Sequence, residues 1–467
     1  MTRSLTLVAV LALAGCAVGP NHRDPRPNAP AQTPFASARS PAFTGDEPPG
    51  RWWSLFRDPL LDSLVEQALR ENTDLRVAAA NLRRARAVLR ETRAGRLPTT
   101  EVSGSASYGQ EPGGNATDFY DVGLDVGYQL DLFGRVRRAI EASRADAEAV
   151  QAAFDLSRIT VAAETTRAYA DACSAGRQLA VARESVRIQE QTFDLTRRLL
   201  AGGRGTALET NQAGALLDQT RAAIPTLEAQ RRTALFRLSV MTGRPPAEFP
   251  PAAAACETAL ALAQPLPVGD GAALLARRPD IRAAERTLAA ATARVGVATA
   301  DLYPTVSLGG SIGSSAGSPG GLVSSGGLRF SLGGLISWSF PNIAVARARI
   351  AQAEASAEGA LANFDGTWLR ALEEAESALT RHASELERLA TLRRARAQSA
   401  EAARIARLRY RAGREPFQVV LDAERALSQA DAAVAQSEAQ LSDNLVTLFL
   451  ALGGGWQEPL TEPGARP

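Results

Sequence analysis

The chain has no lysine, two histidines, three cysteines and only 5% aromatic residues among its 467 positions. Each shortage removes a class of function. Three cysteines without CxxC spacing and two isolated histidines, His22 and His382, form no metal-ligand cluster, so no metal is expected. No nucleophile, base and orienting group stand together on a recognisable turn, which argues against an enzyme. The glycine-rich stretch Gly309–Gly321 opens no helix and is not a phosphate loop. Charged residues make up 22% of the chain yet sum to +2, so no nucleic acid or other strongly charged partner is demanded and no cofactor is implied. The basic residues are all Arg, to which no function attaches. So few aromatics with so much alanine do not fit a standard globule, although this length would ordinarily divide into about three domains.

What is present begins at the N-terminus, where Arg3 precedes an 11-residue apolar run, Leu5–Gly15, that ends in Leu13-Ala14-Gly15-Cys16. The run is well short of the ~20 residues a spanning helix needs, and with its basic flank and small residues it reads as a signal peptide over 1–15. Cys16 is then an acylated mature N-terminus, heading a lipidated segment over 16–58. Export exposes Cys173 and Cys256 to an oxidising compartment, where they either pair or remain two separate thiols; their spacing does not decide.

The rest is two copies of one plan. Residues 74–105 align without a gap with 280–311, giving 11 identities in 32, and a second frame offset by 210 pairs Gly203-Arg204 with Gly413-Arg414 and Gly243 with Gly453. A first repeat over 59–242, a linker over 243–271, a second repeat over 272–452 and a tail over 453–467 follow. In each, an Ala/Leu/Arg-rich helix comes first, opened in the first repeat by Asp58-Pro59 and running to about Gly95. Two alternating segments come next, then a helix from Gly134 to Ala201 of roughly 100 Å at ~1.5 Å per residue. Leu179, Val186, Phe193 and Leu200 recur by sevens, a coiled-coil seam. Gly202–Gly205 breaks it, and Thr206 with Glu209 forms a capping box for a return helix to Thr242. The second repeat has its break at Ala412-Gly413 and its return helix from Pro416 to Leu452.

The alternating segments are the most telling. Over Tyr120–Leu132 one face carries Tyr120, Val122, Leu124, Val126, Tyr128 and Leu130, and the other carries Asp121, Asp125, Gln129 and Asp131 among glycines. Val102, Ala106 and Tyr108, then Val306, Leu308 and Ile312, then Leu328, Phe330, Leu332, Trp338 and Phe340 continue the pattern in three further segments. Runs of this length match the ~9 to 11 residues of a tilted membrane-crossing strand. A soluble sandwich has the same period, but an exported, lipidated chain with no further strands to pack on favours the bilayer. Four strands cannot close a barrel, so several chains must share one wall.

Several motifs together resemble the outer membrane efflux proteins, in the lipoprotein (NodT-type) branch of the TolC-like family. They are the lipobox with CAVGPNH behind it, YQLDLFGRVRR at 128–138, the run from Leu274 to Ser311 containing RRPDIRAAE and LYP, and LDAER at 421–425. The resemblance implies a mainly α chain with a small β part, a homotrimer whose long α-helical barrel continues into a shared 12-stranded transmembrane β-barrel with four strands per chain. It further implies an outer-membrane exit duct for drugs or other small molecules, working with a periplasmic adaptor and an inner-membrane, proton-driven pump. A lipid-anchored periplasmic coiled-coil adaptor or structural protein is the rival reading.

By the same resemblance Asp422 and Arg425 belong to a periplasmic gate at the helix tips. The leucine expected four residues before the aspartate is replaced by Gln418, with Phe417 beside it, so a polar constriction is expected there. The tips Gly203, Gly205, Gly413 and Arg414 are expected adaptor contacts. Asp121, Asp125 and Asp131 are expected to face the lumen, as a cation-favouring conduit or simply as wet side chains. Trp338, Phe340, Tyr108 and Tyr128 suit an interfacial aromatic belt, and Trp52 and Trp53 suit ordinary burial.

Overall fold

The computed structural model describes residues 17–25, 33–110, 112–262, 264–340 and 343–454. The expected signal peptide, Cys16 and most of the expected tail lie outside them. Helix α1 (Pro59–Glu71) starts where predicted, with Asp58 accepting from the amides of Leu60 at 2.9 Å and Leu61 at 3.2 Å. The helix expected to run on to Gly95 is in fact two. Asn72 ends α1, and its side-chain oxygen accepts from the amides of Asp74 and Leu75 to start α2 (Thr73–Ala94), because a short amide side chain competes with helical bonding for those donors. Strands β1 (Thr99–Gly109) and β2 (Thr117–Leu130), the 67-residue helix α3 (Arg135–Ala201), α4 (Ala207–Arg221) and α5 (Ala223–Met241) complete this plan.

The return helix from Thr206 is also broken, at Ala222, close to Pro225, which has no amide hydrogen to donate. The predicted capping box at its start is formed, with Thr206 and Glu209 bonding reciprocally.

The second plan has α6 (Gly271–Arg277), α7 (Pro279–Ala300), β3 (Thr305–Ala316), β4 (Leu328–Ser337), α8 (Ile343–Arg411) and α9 (Phe417–Ala451). Helix α7 starts and ends 206 positions after α2, at 279 against 73 and 300 against 94. Helix α9 starts 210 positions after α4 and ends 210 after α5, at 417 against 207 and 451 against 241. Four helix ends share one turn. Gly203, Gly243, Gly413 and Gly453 take φ between +66° and +75°, a conformation that costs a side-chained residue energy. The residue after each donates back into the helix, as Arg204 does to Leu199 at 2.8 Å and Arg414 to Arg409 at 2.9 Å, closing the helix with its last carbonyls satisfied.

The strands form one antiparallel sheet in the order β1-β2-β3-β4. It belongs to a compact unit holding the described residues of 17–25, 80–152 and 281–367; those of 33–79, 153–280 and 368–454 form a second. Each unit takes parts of both repeats.

The core of the second unit is built around Trp52, which is fully buried and stacked on Phe449 with ring centroids 4.7 Å apart, with Trp53 edge-on beside it. Cys173 and Cys256 form a disulfide, the pairing that the sequence left open, with Cα atoms 4.8 Å apart. It fastens the segment after α5 onto α3. There the Cys256 carbonyl lies directly over Gly176, where a Cβ would collide with it, and accepts from Arg231 at 3.0 Å. Ser442 on α9 donates to the Leu260 carbonyl at 2.6 Å and holds the same segment farther along.

Candidate functional site: a two-faced sheet and the helix tips

Strand register decides which side chains share a face, and here it aligns the apolar residues of all four strands. Val102, Leu124, Ile312 and Phe330 are direct partners across the whole sheet, and Leu130, Val306 and Ile336 form another such row. Most of these side chains are uncovered: Val102 is 77% exposed, Phe330 81% and Ile336 71%, with Leu130 and Val306 half-buried. A folded chain does not leave a contiguous apolar sheet face to water without a use for it. The opposite face carries Glu101 directly across from Asp125, and Asp121 held by Arg329 at 2.6–3.1 Å, the guanidinium passing over Gly123. Asp121 and Asp125 therefore do share the polar face. Asp131 does not. It lies past the end of β2 and accepts from the amides of Val136 and Arg137 at 2.9 Å, so it caps α3 instead of lining the sheet.

Trp338 and Phe340 likewise lie past the end of β4. They pack on each other at 5.0 Å, with the Trp338 indole donating to the Leu302 carbonyl at 3.1 Å, whereas Tyr108 and Tyr128 are in strands. Below the sheet, the segment that follows Cys16 is clasped. Val18 donates to the Phe133 carbonyl at 3.2 Å, and Arg138 donates to the carbonyls of Val18 and Gly19 and to the Asn21 side chain at 2.7 Å. Gly19 and Gly296 meet backbone to backbone, too close for a side chain on Gly19. His22 is not isolated, as it first reads: it bonds Glu285 at 2.7 Å and lies 3.5 Å from Asp24. Arg286 bonds Glu285 too, so the carboxylate is already paired with a cation. The strings CAVGPNH and YQLDLFGRVRR each held one side of this clasp, Arg138 being the donor, but nothing in the sequence joined them.

At the helix tips, Gly203, Gly413 and Arg414 are exposed and Gly205 half-exposed. On the first turns of α9, Gln418 donates to Asp422 at 3.1 Å and Arg425 lies 3.5 Å from the same carboxylate, so the three predicted residues form one exposed cluster. Phe417 departs from it. Only 2% exposed, it packs with Leu216, Ala406 and Val420 and against the Tyr410 ring, because the first residue of α9 points into the seam between helices and not to solvent. The sequence reading also passed over Glu424, which sits between Asp422 and Arg425 in LDAER but on the opposite face. It is 1% exposed and accepts from Thr192 on α3 at 2.8 Å.

A sheet with one wet and one apolar face, attached to exceptionally long paired helices, is a recognisable plan. The pattern described as "Outer membrane efflux protein" matches the chain twice, over 64–244 and 272–454, once per repeat. The chain belongs to the outer membrane efflux protein family. Nodulation protein T of Rhizobium leguminosarum bv. trifolii is 30% identical over 99% of both chains, and outer membrane protein OprJ of Pseudomonas aeruginosa is 32% identical over 97% of this chain and 95% of its own. The solved outer-membrane channel OprN is 40% identical, covers 95% of this chain and all of its own, and superposes with a TM-score of 0.90. This efflux protein is thus an outer-membrane channel, the passive exit component of an efflux system, in a family of transport proteins. Its place in such a system implies an adaptor and an inner-membrane pump as partners.

Proposed function

We propose that three copies of this efflux protein close their four-stranded sheets into one 12-stranded barrel continuous with an α-helical barrel, anchored by acylation of Cys16. The apolar side chains of the four strands, in register and largely uncovered, carry this reading. In hydrocarbon each unpaired backbone group costs several kcal/mol, and among the described residues β1 and β4 each pair on one side only, so the two edges must meet edges of other copies. The periplasmic adaptor rival has no use for that face. The polar face then lines the lumen, where Glu101 and Asp125 repel each other and draw in cations, while Arg329 neutralises Asp121.

The other end of the duct closes around α9. Three copies of the Asp422 cluster converge there as a ring of carboxylates, each held to its own helix by Gln418 and Arg425, a polar constriction where an apolar one is absent. The tips Gly203–Gly205 and Gly413-Arg414 face the adaptor, and a proton-driven pump supplies the energy. Substances such as antibiotics, toluene or cations, for which relatives are named, pass through without being recognised by the duct.

Purified protein is expected to run as a heat-modifiable trimer in detergent and to fractionate with outer membranes; a stable monomer soluble without detergent sinks the barrel. For the gate, Asp422→Ala is expected to raise single-channel conductance in planar bilayers several-fold, and unchanged conductance removes the assignment.

A further inference from the structure

The face of α9 that points away from the Asp422 cluster holds an unexplained group. Glu424 is a carboxylate buried to 1% exposure, and its two oxygens fare differently. One accepts from the Thr192 hydroxyl at 2.8 Å and lies 3.8 Å from the Arg407 guanidinium of α8; the other, Oε2, has no hydrogen-bond partner. The groups facing the carboxyl are Thr192 and Gln189 on α3 and Arg407 on α8, and Arg407 is the charged one among them. The amide oxygen of Gln189 is itself buried without a donor. A carboxylate with one oxygen unpartnered and its nearest cation 3.8 Å away therefore lies in a packed seam, an arrangement that costs free energy as long as it is ionised. A proton on the carboxyl removes a buried charge that Arg407, at 3.8 Å, only partly offsets. The corresponding position of the first repeat, 210 residues earlier, is Gly214, which lies against the Phe193 ring and has no such group.

We propose that Glu424 is a proton-operated latch: neutral, it fixes the gate-bearing helix α9 to α3, and ionised, it releases that helix toward water and lets the mouth widen. This rests on the reading of Asp422 as part of the gate. Burial is the largest influence on Glu424 and raises its pKa above the ordinary carboxyl range, against the lowering effects of Thr192, Arg407 and Gln189. The neutral form therefore persists to a higher pH than for a free glutamate, and the release comes as pH rises. Glu424 acts here through the position of α9 and touches no cargo.

The test is single-channel conductance of the purified full-length protein in planar bilayers, titrated from about pH 4 to about pH 9 to span the ordinary glutamate pKa and values well above it. Wild-type conductance is expected to rise several-fold with pH. Glu424→Gln, which keeps the shape and supplies an amide donor permanently, is expected to stay at the low level throughout. Thr192→Val removes a donor to the ionised form and is expected to move the wild-type midpoint to higher pH. A Glu424→Gln profile that keeps the wild-type slope, a flat wild-type profile, or an unmoved midpoint in Thr192→Val each overturns the latch. Asp422→Ala in the same bilayers reports on the gate alone: raised conductance with an unaltered pH slope in Glu424→Gln rejects the latch and keeps the gate, whereas unchanged conductance in Asp422→Ala rejects the gate.

Discussion

The two repeats share several helix ends and one turn geometry, yet at equivalent positions they carry different chemistry, and the differences fall where one copy has a task the other lacks. Gly176 in the first repeat corresponds to Leu386 in the second, and at Gly176 the disulfide-fastened segment crosses the helix. Ala172 corresponds to His382, which is 3% exposed and tilted against the Phe43 ring 5.9 Å away. Pro225 corresponds to Ala435, and the return helix is broken in the first case and runs 35 residues unbroken in the second. Near the tips, Leu208, Gln212 and Gly214 stand where α9 has Gln418, Asp422 and Glu424. The backbone plan is shared, and the positions of Asp422 and Glu424 carry no carboxylate in the first repeat.

Exchanging residues between the repeats probes this directly. The largest effect is expected for Gly176→Leu, which imports the second repeat's residue under the Cys256 carbonyl, a backbone atom with no flexible end to yield. Overpacking of a tight site costs about 1–3 kcal/mol, and the upper end is expected here, with both Cys173 and Cys256 titrating as free thiols in the denatured protein. Normal stability with the disulfide intact would show that the crossing tolerates a side chain.

His382→Ala imports the first repeat's residue and is expected to change the pH dependence of stability. Burial lowers the His382 pKa from 6.5 to about 4, so the folded protein resists a proton that the unfolded chain accepts. That stability is fully present above about 6.5 and is lost as pH falls toward about 4. It amounts to about 3 kcal/mol per chain, and His382→Ala is expected to flatten this part of the profile in detergent thermal melts. The smallest effect is expected for Pro225→Ala, which restores an amide donor and allows α4 and α5 to join. Stability should change by less than about 1 kcal/mol, with a small gain of helical signal by circular dichroism.

Much of the fold was legible because its signals are local and periodic. Alternation over Tyr120–Leu130 placed Asp121 and Asp125 on the polar face, and Thr206 with Glu209 marked a helix start, since both patterns depend only on neighbouring residues. Asp131 was misread by the same logic: alternation runs on into LDLFG, but the strand stops at Leu130 and the carboxylate is taken by the amides of α3. Phe417 was misread because proximity in sequence to Gln418 says nothing of helix face, and one step turns a residue by about 100°. His22 gained its partner 263 residues away, a distance that no spacing rule reports.

By itself the sequence determined the duplicated plan, the long paired helices, the two-faced strands and the family, because repeat offset, period and turn residues are properties of the chain written in one dimension. Tertiary structure alone decided that Cys173 meets Cys256, that Arg329 neutralises Asp121, and that Glu424 is buried while its neighbours Asp422 and Arg425 are exposed. Each of these depends on which distant elements pack together, and the strength of a charge or the fate of a thiol is set by those neighbours and not by its own identity.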